Sequence, residues 1–562
     1  MNRNSATTRI AMAGPQDDLH HWADVAAAKT LAAHPASTSG GADAQRITVA
    51  AGITPSGVVH VGNFREVMTV DLVARALRDR GVEVRFIYSW DDFERFRKVP
   101  ADAPKQDLLS AQLGRSIADL PDPWCDHDSY ASHHIAAFEA SIEPLGIRPE
   151  FIRQSKAYRA GRYADGIRKA LAGAATIRRI LNDTRARTGA RTTVAADWLP
   201  LAGFCAACGF DDLAFAWDGD WTVHVTCAKC AHESDVDLRE GGNLKLPWRV
   251  DWPMRWAYEQ VCFEPGGKDH SSAGGSFDTA KDIVREIYGW VAPQYVGYDF
   301  VSLKGAGGKI SSSKGGVVTV ADCLEVYEPQ VLRWMFASYR PNTEFQISFD
   351  VDVIKIYEDF DRTVRLAHEA DDGSTKDKKR QGARRTLQLA SVEHTPIVAG
   401  TIAPTLVPFR HLGVVLQIFD GDIERTLDHL ATSGEIVGVE ARAAARVRAT
   451  CAWSWVQEFA PDDFRYRIRT DAVRRELTAA DAALLARIVE IVGGSEPATA
   501  ERDLAAQFKQ WAGEGVDMRA FYPIVYDLLI AREQGPKLTS LLATMGRERV
   551  VPLLGASIAP AT

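Results

Sequence analysis

Apolar residues recur along the chain with two different periods, and the switch between them divides it into parts. Residues 46–51 are a short apolar run with β-branched members, and residues 52–57 are turn-like. Residues 60–80 then place Val67, Val70, Val73, Ala74 and Leu77 at helical spacing, and residues 82–89 read as a second strand. Strand, glycine turn, helix and strand make a βαβ unit, which predicts a parallel sheet with its ligand at the strand ends. Ahead of it, residues 1–45 read as a ragged extension with one short helix over 21–34 and a Gly-rich stretch over 37–42. Residues 151–185 are mainly helical, 192–237 are rich in strands and cysteines, and 249–313 return to alternating strand and helix patterns. From residue 353 long amphipathic helices dominate, as over 477–492 and 520–532, and the polar, basic stretch 373–385 is expected to be an exposed loop among them. No tandem repeat is visible.

The fold class expected is therefore α/β. A Rossmann-type parallel-sheet domain over 46–104 and 246–350 is split by an insertion over 105–245, and an all-α domain follows over 351–562. A chain of 562 residues is long enough for several cores, and 46% hydrophobic with 25% charged residues is ordinary globular composition. The formal net charge of -8 argues against binding nucleic acid by bulk charge, so any such contact must use local basic faces. The first residues lead into Asp17, Asp18 and His20 rather than an apolar signal segment, and no apolar stretch is long enough to span a membrane. A cytoplasmic location is expected, with no membrane partner. In that compartment thiols stay reduced, so grouped cysteines point to metal.

Two segments carry nucleotide chemistry. Thr54-Pro55-Ser56-Gly57-Val58-Val59-His60-Val61-Gly62-Asn63 sits where the first strand passes to the first helix. A helix N-terminus offers backbone N–H groups and positive potential to phosphate, Gly57 and Gly62 clear space, and His60 can donate to phosphate oxygens. Gly307-Gly308-Lys309-Ile310-Ser311-Ser312-Ser313-Lys314-Gly315-Gly316 is a glycine-flanked loop whose two lysines can neutralise charge on leaving pyrophosphate. The ordinary readings are a plain turn with a structural histidine and a solvated basic loop, but the ordered pair is far more specific than either segment.

Cys205-x-x-Cys208 and Cys227-x-x-Cys230 are eighteen residues apart, a spacing at which two knuckles deliver four thiolates to one structural Zn²⁺.

The first two segments resemble the HIGH and KMSKS motifs of class I aminoacyl-tRNA synthetases, read here as His60-Val61-Gly62-Asn63 and Lys309-Ile310-Ser311-Ser312-Ser313. Tyr88-Ser89-Trp90-Asp91-Asp92-Phe93, Arg249-Val250-Asp251-Trp252-Pro253-Met254-Arg255-Trp256 and Phe263-Glu264-Pro265-Gly266-Gly267-Lys268-Asp269-His270 resemble the archaeal-type class I lysyl-tRNA synthetases. So do Gly274-Gly275-Ser276, Tyr298-Asp299-Phe300 and Gln534-Gly535-Pro536-Lys537-Leu538, which extends the likeness to the C-terminus. One departure is Ser312, where many class I enzymes carry lysine. The resemblance implies a catalytic sheet domain, a zinc-bearing connective insertion and a helical anticodon-binding domain. It implies that L-lysine is activated with ATP and Mg²⁺ to lysyl-adenylate and passed to the terminal adenosine of tRNA(Lys), through its 2′-OH in class I. A monomer is expected.

By the same likeness His60, Lys309 and Lys314 are the catalytic candidates, and ATP would lie against Ser56, Gly57, His60, Gly62, Asn63, Lys309, Ser311, Ser312, Ser313 and Lys314. A lysine pocket needs an acceptor for the ammonium, an apolar wall and a clamp for the α-groups. Asp91 and Asp92 at the end of the second strand, with Trp248, Trp252 and Tyr298, are candidates from position, and the likeness adds Gly52, Thr54 and His270. The aspartates could equally cap a helix and the tryptophans fill a core. A second zinc site resembling the family's would draw on Asp122, Asp126 or Cys125, His127 and His133; the family's cysteine before the first histidine is Asp126 here. Two rivals are a paralogue activating lysine or an analogue for another pathway and a zinc-dependent RNA-binding protein; relatives of this subclass also tend to need tRNA before activating the amino acid.

Overall fold

The computed structural model of the protein describes residues 20–35, 46–101, 103–189, 192–271, 274–304 and 317–558. Five parallel strands form the central sheet: β1 (Arg46–Ile53), β2 (Glu83–Trp90), β3 (Glu150–Arg153), β4 (Val261–Gly267) and β5 (Gln294–Tyr298), in the order β5-β4-β1-β2-β3. The order reverses at the β1–β4 junction, and it is outside the strand ends at such a junction that ligands bind. Helix α2 (Val61–Arg78) crosses from β1 to β2 with Phe64, Val67, Val70, Val73 and Leu77 buried. That apolar face against the sheet is what the helical spacing foretold.

Four expectations change. The helix expected within the extension is α1 (Trp22–Ala33), and it belongs to the core: Ala23 and Ala27 are buried, and its buried Asp24 pairs with Arg385 at 2.5 Å. The stretch expected to be helical from residue 151 opens with β3, which pairs with the end of β2 from Ile87↔Glu150 to Trp90↔Arg153, so the sheet draws a strand from inside the expected insertion. The stretch 373–385 is not simply a loop, because a helix spans Asp377–Ala390. Its buried face is narrow, with Ala383, Leu387 and Ala390, and its arginines dock by ion pairs instead, Arg380 to Glu369 at 3.0 Å and Arg384 to Asp371 at 2.5 Å.

The fourth change concerns cores. Tyr357, Phe409, Leu416 and Trp455 share one apolar cluster with α2 and β1, while Tyr466, Leu485, Phe508, Val525, Leu541 and Leu554 form another. The second cluster draws mainly on residues of the helical half from 466 onward, with Ile418 from its first part. Buried polar contacts bind that first part to the sheet body: Arg448 pairs with Glu328 at 2.6 Å, and Arg333, itself paired with Asp71 at 2.6 Å, donates to the Ala390 carbonyl at 2.9 Å. Breaking one partner of such a pair leaves a buried charge, so these joints are rigid. Among the described residues no helix is long and apolar enough to cross a membrane.

A third core lies mainly within residues 157–254, shared by helices Ala164–Ala172 and Ala174–Arg187 and an antiparallel ribbon of Leu213–Trp217, Thr222–Cys227 and Glu233–Asp237, and a fourth joins Ala50, Ile87 and Ile152 of the sheet to Trp252 and Trp256.

Candidate active site

A cleft of about 610 Å³ opens at the C-terminal ends of β1 and β2, lined among others by Gly52, Thr54, Ser56, Gly57, Asn63, Asp91, Trp248, His270 and Tyr298. Candidates from widely separated stretches of sequence therefore meet in one place. Lys309, Ser311, Ser312, Ser313 and Lys314 lie outside the described residues.

His60 is the N-cap of α2. Its Nδ1 accepts from the Asn63 amide at 3.2 Å, while the Asn63 side chain accepts from the His60 amide at 3.2 Å. This reciprocal cap fixes the neutral ring with its proton on Nε2, the state that donates to an anion. Gly62 makes room for the ring, since an added Cβ would stand 2.8 Å from its Nδ1. Gly52 faces Ser89 on β2, where a Cβ would meet the Ser89 carbonyl oxygen at 2.7 Å. Only glycine lets β1 and β2 close at this point.

Three carboxylates line the cleft, and their partners differ. Asp91 is held by Arg255 at 2.8 Å, and Glu94 by Lys245. Glu66 has no basic partner among the described residues: one oxygen accepts from the Gly52 amide at 2.9 Å and the other from the Tyr298 hydroxyl at 2.5 Å. Desolvation raises its pKa to about 8 against the pull of these two donors. Sequence reasoning misses Glu66. Its one signal is an acid one turn after Asn63 on the helix that follows the first strand.

Arg255 is buried; burial works against its charge, but Asp251 at 3.1 Å and Asp91 hold it protonated. Tyr158 in turn donates to Asp251. Asp92 does not line the cleft. It accepts from the Ser155 amide at 2.8 Å and hydroxyl at 2.7 Å, pinning the helix that follows β3. Trp248 does line it and stacks on Trp252 at 5.2 Å, while buried Trp252 donates to Glu264 at 3.1 Å and so backs the wall rather than facing the ligand. Burial pushes the Glu264 carboxyl up to about 7.

The four cysteines converge as their spacing predicted: Cys205 and Cys230 sulfurs are 3.6 Å apart, Cys208 and Cys227 3.7 Å. A tetrahedron with Zn–S near 2.3 Å needs sulfurs about 3.8 Å apart, so the set fits zinc and leaves no open position. The second cluster contains Asp122, His127 and His133. Asp126 contributes only its amide, which donates to Asp122 at 2.9 Å, and Cys125 turns to Lys105, whose ammonium lies 3.0 Å from its sulfur. The buried His133 Nδ1 has no hydrogen-bond partner and stands 3.6 Å from Asp122, an arrangement suited to a shared cation. Neither Asp126 nor Cys125 belongs to this cluster.

A family model described as tRNA synthetases class I (K) matches residues 20–393. The chain is 42% identical over 540 residues to a lysine–tRNA ligase of Treponema pallidum, covering 95% of this chain and 98% of that one. It is 41% identical over 505 residues to one from Borreliella burgdorferi, covering 89% and 94%. With the Pyrococcus horikoshii lysine–tRNA ligase the identity is 36% over 537 residues, covering 95% and 99%.

Proposed function

Because the chain belongs to the class I lysine–tRNA ligases, we propose that its cleft divides the ATP-dependent joining of L-lysine to tRNA among the residues just described. The enzyme's reaction is that joining. The finer assignment of residues rests on one observation: of the three carboxylates in the cleft, Glu66 has no basic partner among the described residues. An unmatched carboxylate beside aromatic walls is what a substrate ammonium needs. Glu66 with the Tyr298 oxygen receives the lysine side-chain ammonium, Trp248 and His270 flank its stem, and Gly52 and Thr54 meet the α-groups.

ATP lies across the first turn of α2, against Ser56, Gly57 and Asn63, with His60 Nε2–H donating to a phosphate oxygen. Mg²⁺ enters with the nucleotide and offsets phosphate charge. The lysine carboxylate oxygen attacks the α-phosphorus, the bond to the bridging oxygen breaks, and pyrophosphate leaves. Lys309 and Lys314 would neutralise that leaving group. A hydroxyl of the terminal adenosine of tRNA(Lys) then attacks the lysyl carbonyl and AMP departs. No side chain acts as nucleophile; positioning and charge neutralisation supply the rate.

Zn²⁺ on the four cysteines would close the ribbon and do no chemistry, and a second ion between Asp122, His127 and His133 would fasten the segment beneath Ser56. The proposed boundaries are a catalytic body from 20 to 153 and 246 to about 460, the insertion between, and a terminal helical domain from 466. Titration of lysine against wild type and Glu66→Gln, with tRNA present, tests the pocket: binding should weaken sharply in the variant while ATP binding persists.

A further inference from the structure

Arg65 stands next to Glu66 on α2 and is 3% exposed, yet among the described residues it makes no ion pair. Its guanidinium donates instead to three backbone carbonyls, those of Phe300 at 3.1 Å, Arg340 at 2.9 Å and Thr343 at 2.7 Å, and lies 5.1 Å from the centre of the Phe345 ring. Burial pulls its pKa down to about 10 while Asp299 supports the charge, so Arg65 stays protonated at neutral pH. A buried cation must be hydrogen-bonded, and that requirement ties this guanidinium to its three acceptors.

The acceptors belong to two segments. Phe300 follows β5, whose last residue is Tyr298, and Arg340 and Thr343 lie in the turn ahead of the strand Phe345–Ile347. These segments hold each other, because the Asp299 amide donates to the Pro341 carbonyl at 2.8 Å and Val301–Leu303 pairs in parallel with Phe345–Ile347. Arg65 ties the pair to α2. Adjacent residues of one helix therefore hold the same strand end twice, Arg65 through the main chain just beyond it and Glu66 through the Tyr298 hydroxyl. Only a planar fork with donors on several edges reaches three separate carbonyls; a compact ammonium does not.

We propose that Arg65 is a positioning residue for lysine recognition: by gripping the backbone beyond β5 it sets where Tyr298 stands against Glu66, and so the shape and charge of the ammonium site. The inference rests on the reading of Glu66 and Tyr298 as that site. With the grip loosened, the turn relaxes and the Tyr298 hydroxyl draws away from the carboxylate. Glu66 then loses one of the two donors that oppose the effect of burial, and its carboxyl titrates at higher pH. The ATP side of the cleft, built on the first turn of α2, keeps its own cap and is untouched.

The test uses full-length enzyme with tRNA present and measures pyrophosphate exchange against lysine and ATP concentration, with lysine titrations across pH, for wild type, Arg65→Lys, Phe345→Leu, Tyr298→Phe and the double variant Arg65→Lys with Tyr298→Phe. Arg65→Lys should raise the KM for lysine by roughly five- to fiftyfold, as expected when charged hydrogen bonds are lost, and leave the KM for ATP unchanged. The pH at which lysine affinity levels off should move upward. Phe345→Leu takes away the ring beneath the guanidinium while keeping the core filled, and should act in the same direction more weakly. Once the Tyr298 hydroxyl is gone, Arg65→Lys should add little, because both changes remove the same contact. Equal losses for lysine and ATP, an unshifted pH profile, or additive losses in the double variant would overturn the inference. A wild-type KM for lysine in Tyr298→Phe would instead overturn the reading of the pocket it rests on.

Discussion

The Tyr298 hydroxyl donates to the Glu66 carboxylate at 2.5 Å, joining two residues of the cleft lining that stand 232 positions apart in sequence. Burial has raised that carboxyl to about 8, so in the free enzyme below this pH it holds a proton. An ammonium requires the ionised form, and binding must then expel the proton.

Lysine affinity should therefore rise with pH between about 6 and 8, by up to roughly tenfold per unit, and level off above. Calorimetry in buffers of different ionisation enthalpy, with tRNA present, should register proton release near pH 7. Glu66→Gln should abolish both the release and the slope. Proton uptake on binding, or an unchanged slope in the variant, would show that another group sets the pocket's charge.

His60 has two roles that substitution can separate. Alanine should slow lysine-dependent pyrophosphate exchange by roughly ten- to a thousandfold, as expected for one lost transition-state donor, and cost about 1 kcal/mol of stability through the missing cap. Asparagine, a good N-cap, should restore the melting temperature but leave exchange slow. If asparagine restored both, the ring would serve only the helix.

These two residues mark what sequence can and cannot reveal. The β1–α2–β2 unit is legible because its buried faces are long and periodic, and the cysteine pairs because metal geometry fixes their spacing. Strand β3 is not, since four residues running directly into a helix carry no period of their own. The helix over Asp377–Ala390 hides for the opposite reason: it is held by arginine ion pairs to Asp24, Asp371 and Glu369, and its narrow apolar face leaves a polar, basic sequence. Glu66 is hidden because one acid on an amphipathic helix reads as a solvent position until the fold shows it facing a cleft without a counter-ion. Asp92 reads as a pocket acid because its partner, Ser155, lies 63 residues on.

The purified protein should carry one tightly held zinc, or two if the Asp122 cluster is filled. Cys227→Ser should remove one equivalent and expose the ribbon over 202–245 to proteolysis. Folded, active protein without zinc would remove the metal from the account of the four cysteines.

Lysine-dependent pyrophosphate exchange should be seen only when tRNA is present. The insertion reaches the cleft wall through Lys245, which donates to the Phe93 carbonyl at 2.8 Å and pairs with Glu94, so tRNA on the insertion can shift the wall toward its competent arrangement. Equal exchange without tRNA would break this coupling and leave the ligase reaction standing.

The most direct test of the whole is charging of total tRNA by the purified enzyme with each of the twenty amino acids in turn, with ATP and Mg²⁺. Lysine alone should be esterified, at a rate that Glu66→Gln sharply lowers; charging with glutamate or any other amino acid in place of lysine would contradict the assignment of this cleft.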